Sequence, residues 1–262
     1  MISNSFNQNS NYRMNANAAM EIARSYSVLS SKKMLNDILS SVIKDIDLSN
    51  YSKFELHKLC NSIILSKYSS EQLIKSLLVD YFKDERVIAA FEIRTNESRL
   101  DFLRINGYSI SYEIKSEVDN LAKLEKQVLN YSELFEFNNV VVGKKHLAKV
   151  RDVLSSEYGI FIEENGKLFE KRKAKKNRNI SSERQLKIFT KKEINKFYKT
   201  DIKNVLNLFS PKEINSIFKE VLKSRYSTKW SFLCQNKQDI LPIDYQYFYN
   251  HNITPNLIYG IR

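Results

Sequence analysis

From Ser109 to Lys115 polar and apolar residues alternate without a break, with Ile110, Tyr112 and Ile114 at even positions and Ser109, Ser111, Glu113 and Lys115 at odd ones. Side chains of a β-strand point alternately to its two faces, so this period of two requires a strand with one core face. A second β-like run, residues 99–105, precedes it, and Asn106 followed by Gly107 is a hairpin signal between them. Leu100 and Phe102 are the core partners in the first run, which places Asp101 with the polar set. The loop then decides the register. A strict two-residue loop pairs Asp101 with Tyr112 and turns its carboxylate to the apolar face. A three-residue loop closed by Gly107 in the left-handed region brings Asp101 to the face of Glu113.

Carboxylates crowded on one face repel each other and are costly to bury ionised. A divalent cation resolves the conflict, and Mg²⁺ is typically held by one or two carboxylates plus substrate phosphate. Asp101 and Glu113 are therefore candidate ligands. Lys115, on the same face, is a compact cation placed to orient a water or to stabilise charge on a phosphoryl group. After the hairpin, residues 120–135 read as a helix capped by Ser116 or Asp119, with the apolar line Leu121, Leu124, Val128 and Phe135. Lys123, Gln127 and Tyr131 follow one another at intervals of four on an adjacent stripe. The apolar run at 140–143 reads as a buried strand at a sheet centre.

Asp101, then Glu113-Ile114-Lys115, then Gln127 and Tyr131 four apart together resemble the PD-(D/E)XK nuclease superfamily, and the Gln-x-x-x-Tyr element is similar to that of its RecB-like branch. The longer string of Arg99, Asp101, Tyr112 to Glu117, Asp119 and Val140 to Gly143 resembles an uncharacterised bacterial and phage family within it. The superfamily's proline is absent, since Leu100 precedes Asp101. The resemblance covers roughly residues 75–178. It implies a restriction-endonuclease-like α/β core with a mixed sheet, and Mg²⁺ or Mn²⁺ held by Glu92, Asp101 and Glu113, with the Ile114 carbonyl as a further ligand. Asp101, Glu113 and Lys115 are then the catalytic group. Arg99, Lys123, Gln127 and Tyr131 are the candidates for substrate contact, with orientation of Lys115 the other role open to Gln127 and Tyr131, and pairing with a site carboxylate the other open to Arg99.

Around this core the chain divides into a tail rich in Asn and Ser at 1–18, a helical segment at 19–69, the core at 70–178 and a helical region at 179–262 that could carry a protein partner. In the helical segment the spacing predicts one helix from Ala19 to Ile46 with Met34, Ile38, Val42 and Ile46 on its apolar line. His57, in the next helix, reads as structural. Six of the eight residues from Lys171 to Arg178 are basic (Lys171, Arg172, Lys173, Lys175, Lys176 and Arg178), which makes this run either a solvated spacer or a grip on a nucleic-acid backbone.

The formal charge of +12, from 42 Lys and Arg against 30 Asp and Glu, favours a polyanionic partner, with nucleic acid ahead of a membrane. Only Cys60 and Cys234 occur, without a metal-site spacing, so a disulfide framework is not expected and a cytoplasmic setting is. No apolar run approaches the ~20 residues of a membrane span, and no secretory signal pattern opens the chain. The expected function is metal-dependent hydrolysis of DNA phosphodiesters. The alternatives are a module on the same fold that binds nucleic acid or protein without cutting, and a nuclease or toxin directed at RNA.

Overall fold

The computed structural model describes residues 16–43, 47–67, 70–82 and 87–260. It forms two compact units, Met1–Tyr68 with Asn256–Arg262, and Ser69–Pro255. The helices after residue 179 up to Pro255 thus share a unit with the sheet instead of forming a region of their own.

The first unit contains α1 (Ala16–Ser25), α2 (Lys32–Val42) and α3 (Lys53–Lys67). The single helix expected from Ala19 to Ile46 is broken at residues 26–31, because Ser31 caps α2 by accepting the Met34 N–H at 3.2 Å. The buried line of α2 is Leu35 and Leu39, and Met34, expected on that line, is 52% exposed. Residues 1–15 of the expected tail and Ile46 lie outside the described residues, and residues 16–18 open α1. His57 is buried and meets the Tyr26 hydroxyl through Nδ1 at 2.8 Å. Burial, with help from Lys53, pulls its pKa down to about 4, which keeps it neutral as a core residue.

The second unit opens with α4 (Glu71–Tyr81), followed by β1 (Ile88–Arg94), β2 (Arg99–Asn106), β3 (Tyr108–Lys115), α5 (Leu124–Ser132), β4 (Phe137–Gly143), α6 (Leu147–Val153), β5 (Gly159–Glu164) and β6 (Lys167–Arg172). Next come α7 (Ser182–Lys187), α8 (Lys191–Tyr198), α9 (Ile202–Leu208), α10 (Pro211–Asn236) and α11 (Tyr245–His251); α12 (Pro255–Tyr259) belongs, from Asn256 on, to the first unit. The strands make one six-stranded mixed sheet in sequence order. The hairpins β1–β2–β3 and β5–β6 are antiparallel, and β4 runs parallel to both β3 and β5. The apolar run at 140–143 is thus central, as its composition requires, with Val140, Val141 and Val142 fully buried.

The sheet is covered on both faces. Leu124 and Val128 of α5, with Val150 of α6 and Leu154 at its end, bury Val140, Val142, Ile160 and Ile162 on one face. On the other, Phe102 packs against Phe82 and Trp230, and Phe91 against Tyr249. The aromatic stretch around Tyr245 to Tyr249 therefore serves the core. Glu136, 4% exposed, ties α10 to the hairpin by accepting the Ser109 N–H at 2.8 Å while pairing with Lys219 at 3.2 Å. Among the described residues no helix is long and apolar enough to cross a membrane.

The central hairpin has the odd register. Phe102 pairs with Tyr112 and the ladder continues to Asn106 and Tyr108, so Asp101 falls opposite Glu113. Gly107 alone lies between Asn106 and Tyr108, at φ +73°, the left-handed conformation the three-residue loop demands. At Gly159 glycine serves a different need: a Cβ there would lie 2.0 Å from Asn139 Oδ1 and 2.9 Å from the Ala174 backbone nitrogen. The two glycines should differ in a denaturant titration. Gly107→Ala meets open space and should cost ~1 kcal/mol of backbone strain. Gly159→Ala must push a backbone aside and should cost more, within or above the ~1–3 kcal/mol of overpacking. Equal midpoints for the two variants would contradict this packing.

Candidate metal centre and cleft

The end of β3 carries the site. Glu113 has no solvent exposure; its Oε1 accepts from Lys115 Nζ at 2.7 Å and its Oε2 from the Tyr131 hydroxyl at 2.9 Å. Opposite it, Asp101 accepts the Ile114 N–H through Oδ2 at 2.7 Å. Burial, the neighbouring Glu113 and then Glu71 raise the Asp101 pKa far above the carboxylate range, and burial likewise raises Glu113 against the pull of Lys115. Burial works against the charge on Lys115, but the Glu113 carboxylate outweighs it and the net shift is upward, so this lysine stays an ammonium.

A cleft of about 490 Å³ opens over these groups, lined by Asp101, Glu113, Ile114 and Lys115 on the strands and by Lys123, Lys126 and Gln127 on the first turns of α5 and just before it. Arg99, Asp119 and Glu71 complete its wall. Gln127 Oε1 is buried there with no hydrogen-bond partner. The helix begins at Leu124 instead of residue 120, because Asp119 caps a turn by accepting from the Ser116 N–H and hydroxyl, both at 2.7 Å, and does not cap α5. That turn passes close over Gly143, where a Cβ would lie 2.3 Å from Glu117 Cγ.

Three sequence expectations change. Tyr131, expected to touch substrate, is 1% exposed, and its hydroxyl lies behind the site, its single proton shared between Glu113 Oε2 and the Arg99 carbonyl, each 2.9 Å away. It orients the carboxylate instead. Next, the carboxylates whose oxygens all come within 4.8 Å of one another are Glu71, Glu92 and Asp101, and the expected set of Glu92, Asp101 and Glu113 is not such a group. Lys115 and Tyr131 hold both Glu113 oxygens, and Glu92 is itself paired with Lys75 and Arg99. Glu71 was missed because it is the first residue of α4, whose local pattern is only that of a capped helix start after Ser70. Lys126 was legible, three residues from Lys123 on the same helix face.

The basic run is the third change. Arg172 is a structural cation: its guanidinium donates to the carbonyls of Tyr158 at 2.7 Å and Ser155 at 2.9 Å, past the end of α6. Lys173, Lys175, Lys176 and Arg178 are exposed on a strap fixed through its backbone, with the Lys175 N–H on Glu157 O at 2.9 Å and the Asn177 N–H on Glu136 O at 2.8 Å. Lys171, also exposed, ends β6. Those anchors lie where β4 and β5 begin, whereas Glu113 and Lys115 lie where the parallel β3 ends. A strand of seven residues spans about 20 Å, so the strap and the cleft sit at opposite ends of the sheet.

The model of the Bacteriophage P4 protein cII family matches residues 64–253. The chain belongs to that family. The match takes in the whole sheet and α5 through α11. No curated protein is similar to the chain. Among solved structures, the SPO1766 protein of unknown function from Silicibacter pomeroyi is 18% identical, with 53% of this chain and 90% of that one covered, at a TM-score of 0.35. SfsA of Pyrococcus furiosus, in complex with Ca²⁺, is 16% identical over 45% of this chain and 64% of that one, at a TM-score of 0.24.

The donor set fits a hard divalent cation. The converging donors are carboxylate oxygens, the ligands such an ion prefers, and without a cation burial and the neighbouring carboxylates favour the protonated Asp101. That proton has a consequence for stability. A carboxyl whose folded pKa is raised contributes fully below the ordinary carboxylate range, and the contribution is lost as pH rises through the folded value. Protein stripped of metal with EDTA should therefore lose thermal stability from about pH 4 toward pH 8. Asp101→Asn, which cannot ionise, should melt above the wild type at pH 8 and match it at pH 4. Coincident melting temperatures for the two proteins at pH 8 would show that Asp101 is ionised without cost.

Proposed function

We propose that this chain is a metal-dependent nuclease of the PD-(D/E)XK kind that hydrolyses DNA phosphodiesters. The observation that carries the reading is the buried Glu113–Lys115 pair facing Asp101 at the mouth of a cleft rimmed by Arg99, Lys123 and Lys126. Asp101, Glu71 of α4 in the place expected for Glu92, and the Ile114 carbonyl would hold Mg²⁺ or Mn²⁺, and Glu113, though Lys115 and Tyr131 bond both its oxygens, would join them through its remaining lone pairs. A bound ion of this type polarises a phosphoryl oxygen and lowers the pKa of a water. Lys115 spends one of its three N–H donors on Glu113, which leaves two for the attacking water or the phosphoryl oxygens. Because it stays charged, its role is electrostatic and not that of a base. Tyr131 fixes the Glu113 carboxylate, while Arg99, Lys123 and Lys126 would receive the phosphate backbone on either side of the scissile bond, with the Gln127 side chain in the cleft wall beside them.

Cleavage of linear and circular DNA with Mn²⁺ tests this directly. Asp101→Ala and Glu113→Ala should abolish cleavage and leave DNA affinity equal or higher, since negative charge facing the phosphates is removed. Lys115→Ala should lose rate while still binding Mn²⁺. A wild-type protein that binds DNA and cuts neither DNA nor RNA would instead be a binding module.

The strap supplies a separate expectation. Neutralising Lys173, Lys175, Lys176 and Arg178 should lower the slope of log K against log salt by about 0.9 for each duplex phosphate that these cations neutralise in the wild type. Cleavage at saturating DNA should hardly change, because the strap lies at the other end of the sheet from the cleft. An unchanged slope would make these four cations a solvated edge.

A further inference from the structure

The cleft's second acidic wall already contains a cation. Lys75, on α4, is 2% exposed, and its ammonium meets three oxygens from three elements: Glu71 Oε1 of α4 at 2.5 Å, Glu92 Oε1 of β1, and Gln246 Oε1 of α11 at 2.7 Å. An ammonium has three N–H donors, and all three are used. The remaining Glu92 oxygen lies against the Arg99 guanidinium as an ion pair and accepts no hydrogen bond. Lys75 thus bonds Glu71 and Glu92, two of the three carboxylates whose oxygens converge among the described residues. The backbone is shaped for this arrangement. Glu92 has φ +56° in the middle of β1, and the ladder pairs Phe91 with Phe102 and Ile93 with Leu100 but skips Glu92 and Asp101 between them. A left-handed non-glycine residue is strained and persists only where its surroundings fix it.

We infer that Lys75 is a built-in cation that fills the position between Glu71 and Glu92, so that the cleft takes one divalent ion and not two. This rests on the metal-dependent reading above and specifies it. Charge balance agrees with the geometry. The six carboxylates Glu71, Glu92, Glu97, Asp101, Glu113 and Asp119 face five protein cations, Lys75, Arg99, Lys115, Lys123 and Lys126. One dication overfills the deficit by a single charge, which a bound phosphodiester cancels. A second would leave a strongly positive site in a poorly hydrated wall, where uncompensated charge is costly.

Calorimetric titration with Mn²⁺ in the absence of DNA counts the ions. The wild type should bind one per chain and Asp101→Ala none. Glu92→Gln should still bind one, within about threefold of the wild-type affinity, because Glu92 is not a ligand. Lys75→Gln should bind two, and Mn²⁺ should raise its melting temperature more than that of the wild type. Two ions in the wild type, one in Lys75→Gln, or a loss of Mn²⁺ binding in Glu92→Gln would each overturn the role of Lys75 while leaving the metal reading intact. No Mn²⁺ bound by the wild type would overturn both. Should Lys75→Gln fail to fold, with two carboxylates left unpaired, the wild-type count and the Glu92→Gln affinity still decide.

Discussion

A carboxyl group without solvent contact at the end of a central strand is the constraint on which this fold turns. Burying an ionised carboxylate costs several kcal/mol unless its lone pairs are met. Glu113 meets that demand from two directions, with Lys115 two residues along its own strand and Tyr131 from the helix that covers the sheet. Each partner places something else. Tyr131 also bonds the Arg99 carbonyl, which fixes the start of β2 against α5, and α5 in turn carries the cations of the cleft rim. The helix therefore cannot shift along the sheet without exposing an unpaired carboxylate, and its packing on Val140 and Val142 is locked to the chemistry of the site.

The other half of the site depends on register. Because side chains alternate, a slip of one residue in the β2–β3 hairpin would carry Asp101 to the aromatic face, among Phe102, Tyr112 and Phe82. Gly107 prevents the slip, since the odd register needs a left-handed residue at the turn. The second hairpin solves its turn differently, with Asn165 at φ +53° and Gly166 at φ +70° between the paired Glu164 and Lys167. That two-residue loop gives the even register, which is the right one where no carboxylate has to be matched across the strands.

What the sequence disclosed and what it withheld divide along the same line. Alternation and turn chemistry are local, so the hairpin, its register, the central apolar strand and the grouping of Asp101, Glu113 and Lys115 could be read from a few residues. Gln127 was placed correctly because helical spacing is local too. Glu71 and Lys75 of α4 meet Glu92 of β1 and Gln246 of α11, which lies far along the chain, and nothing near any of them marks the meeting. Tyr131 shows a subtler limit: spacing put it on the cleft stripe, but its length carried the hydroxyl past the cleft to the carboxylate behind it. Met34 failed for a related reason, since a four-residue interval fits a helix face wherever it is phased, and the cap at Ser31 set the phase to Leu35 and Leu39.

The basic run carries the plainest lesson about charge. Read as a string, its six cations are equivalent; in the fold they are not. Arg172 satisfies the carbonyls beyond a helix end, a role in which its charge is spent on the protein. The others project from a strap whose backbone is bonded at alternate residues, so their spacing is set by the ends of β4 and β5 and not by a flexible linker. Cations fixed in this way lose less entropy on meeting an ordered polyanion than cations on a free coil. They also stand about 20 Å of strand away from the cleft. A nucleic acid that met both sets of charge would have to cover that distance, about six base-pair steps of a duplex. At the strap end Lys176 and Lys219 lie over the Tyr108 ring, so part of the charge there is already turned toward the protein.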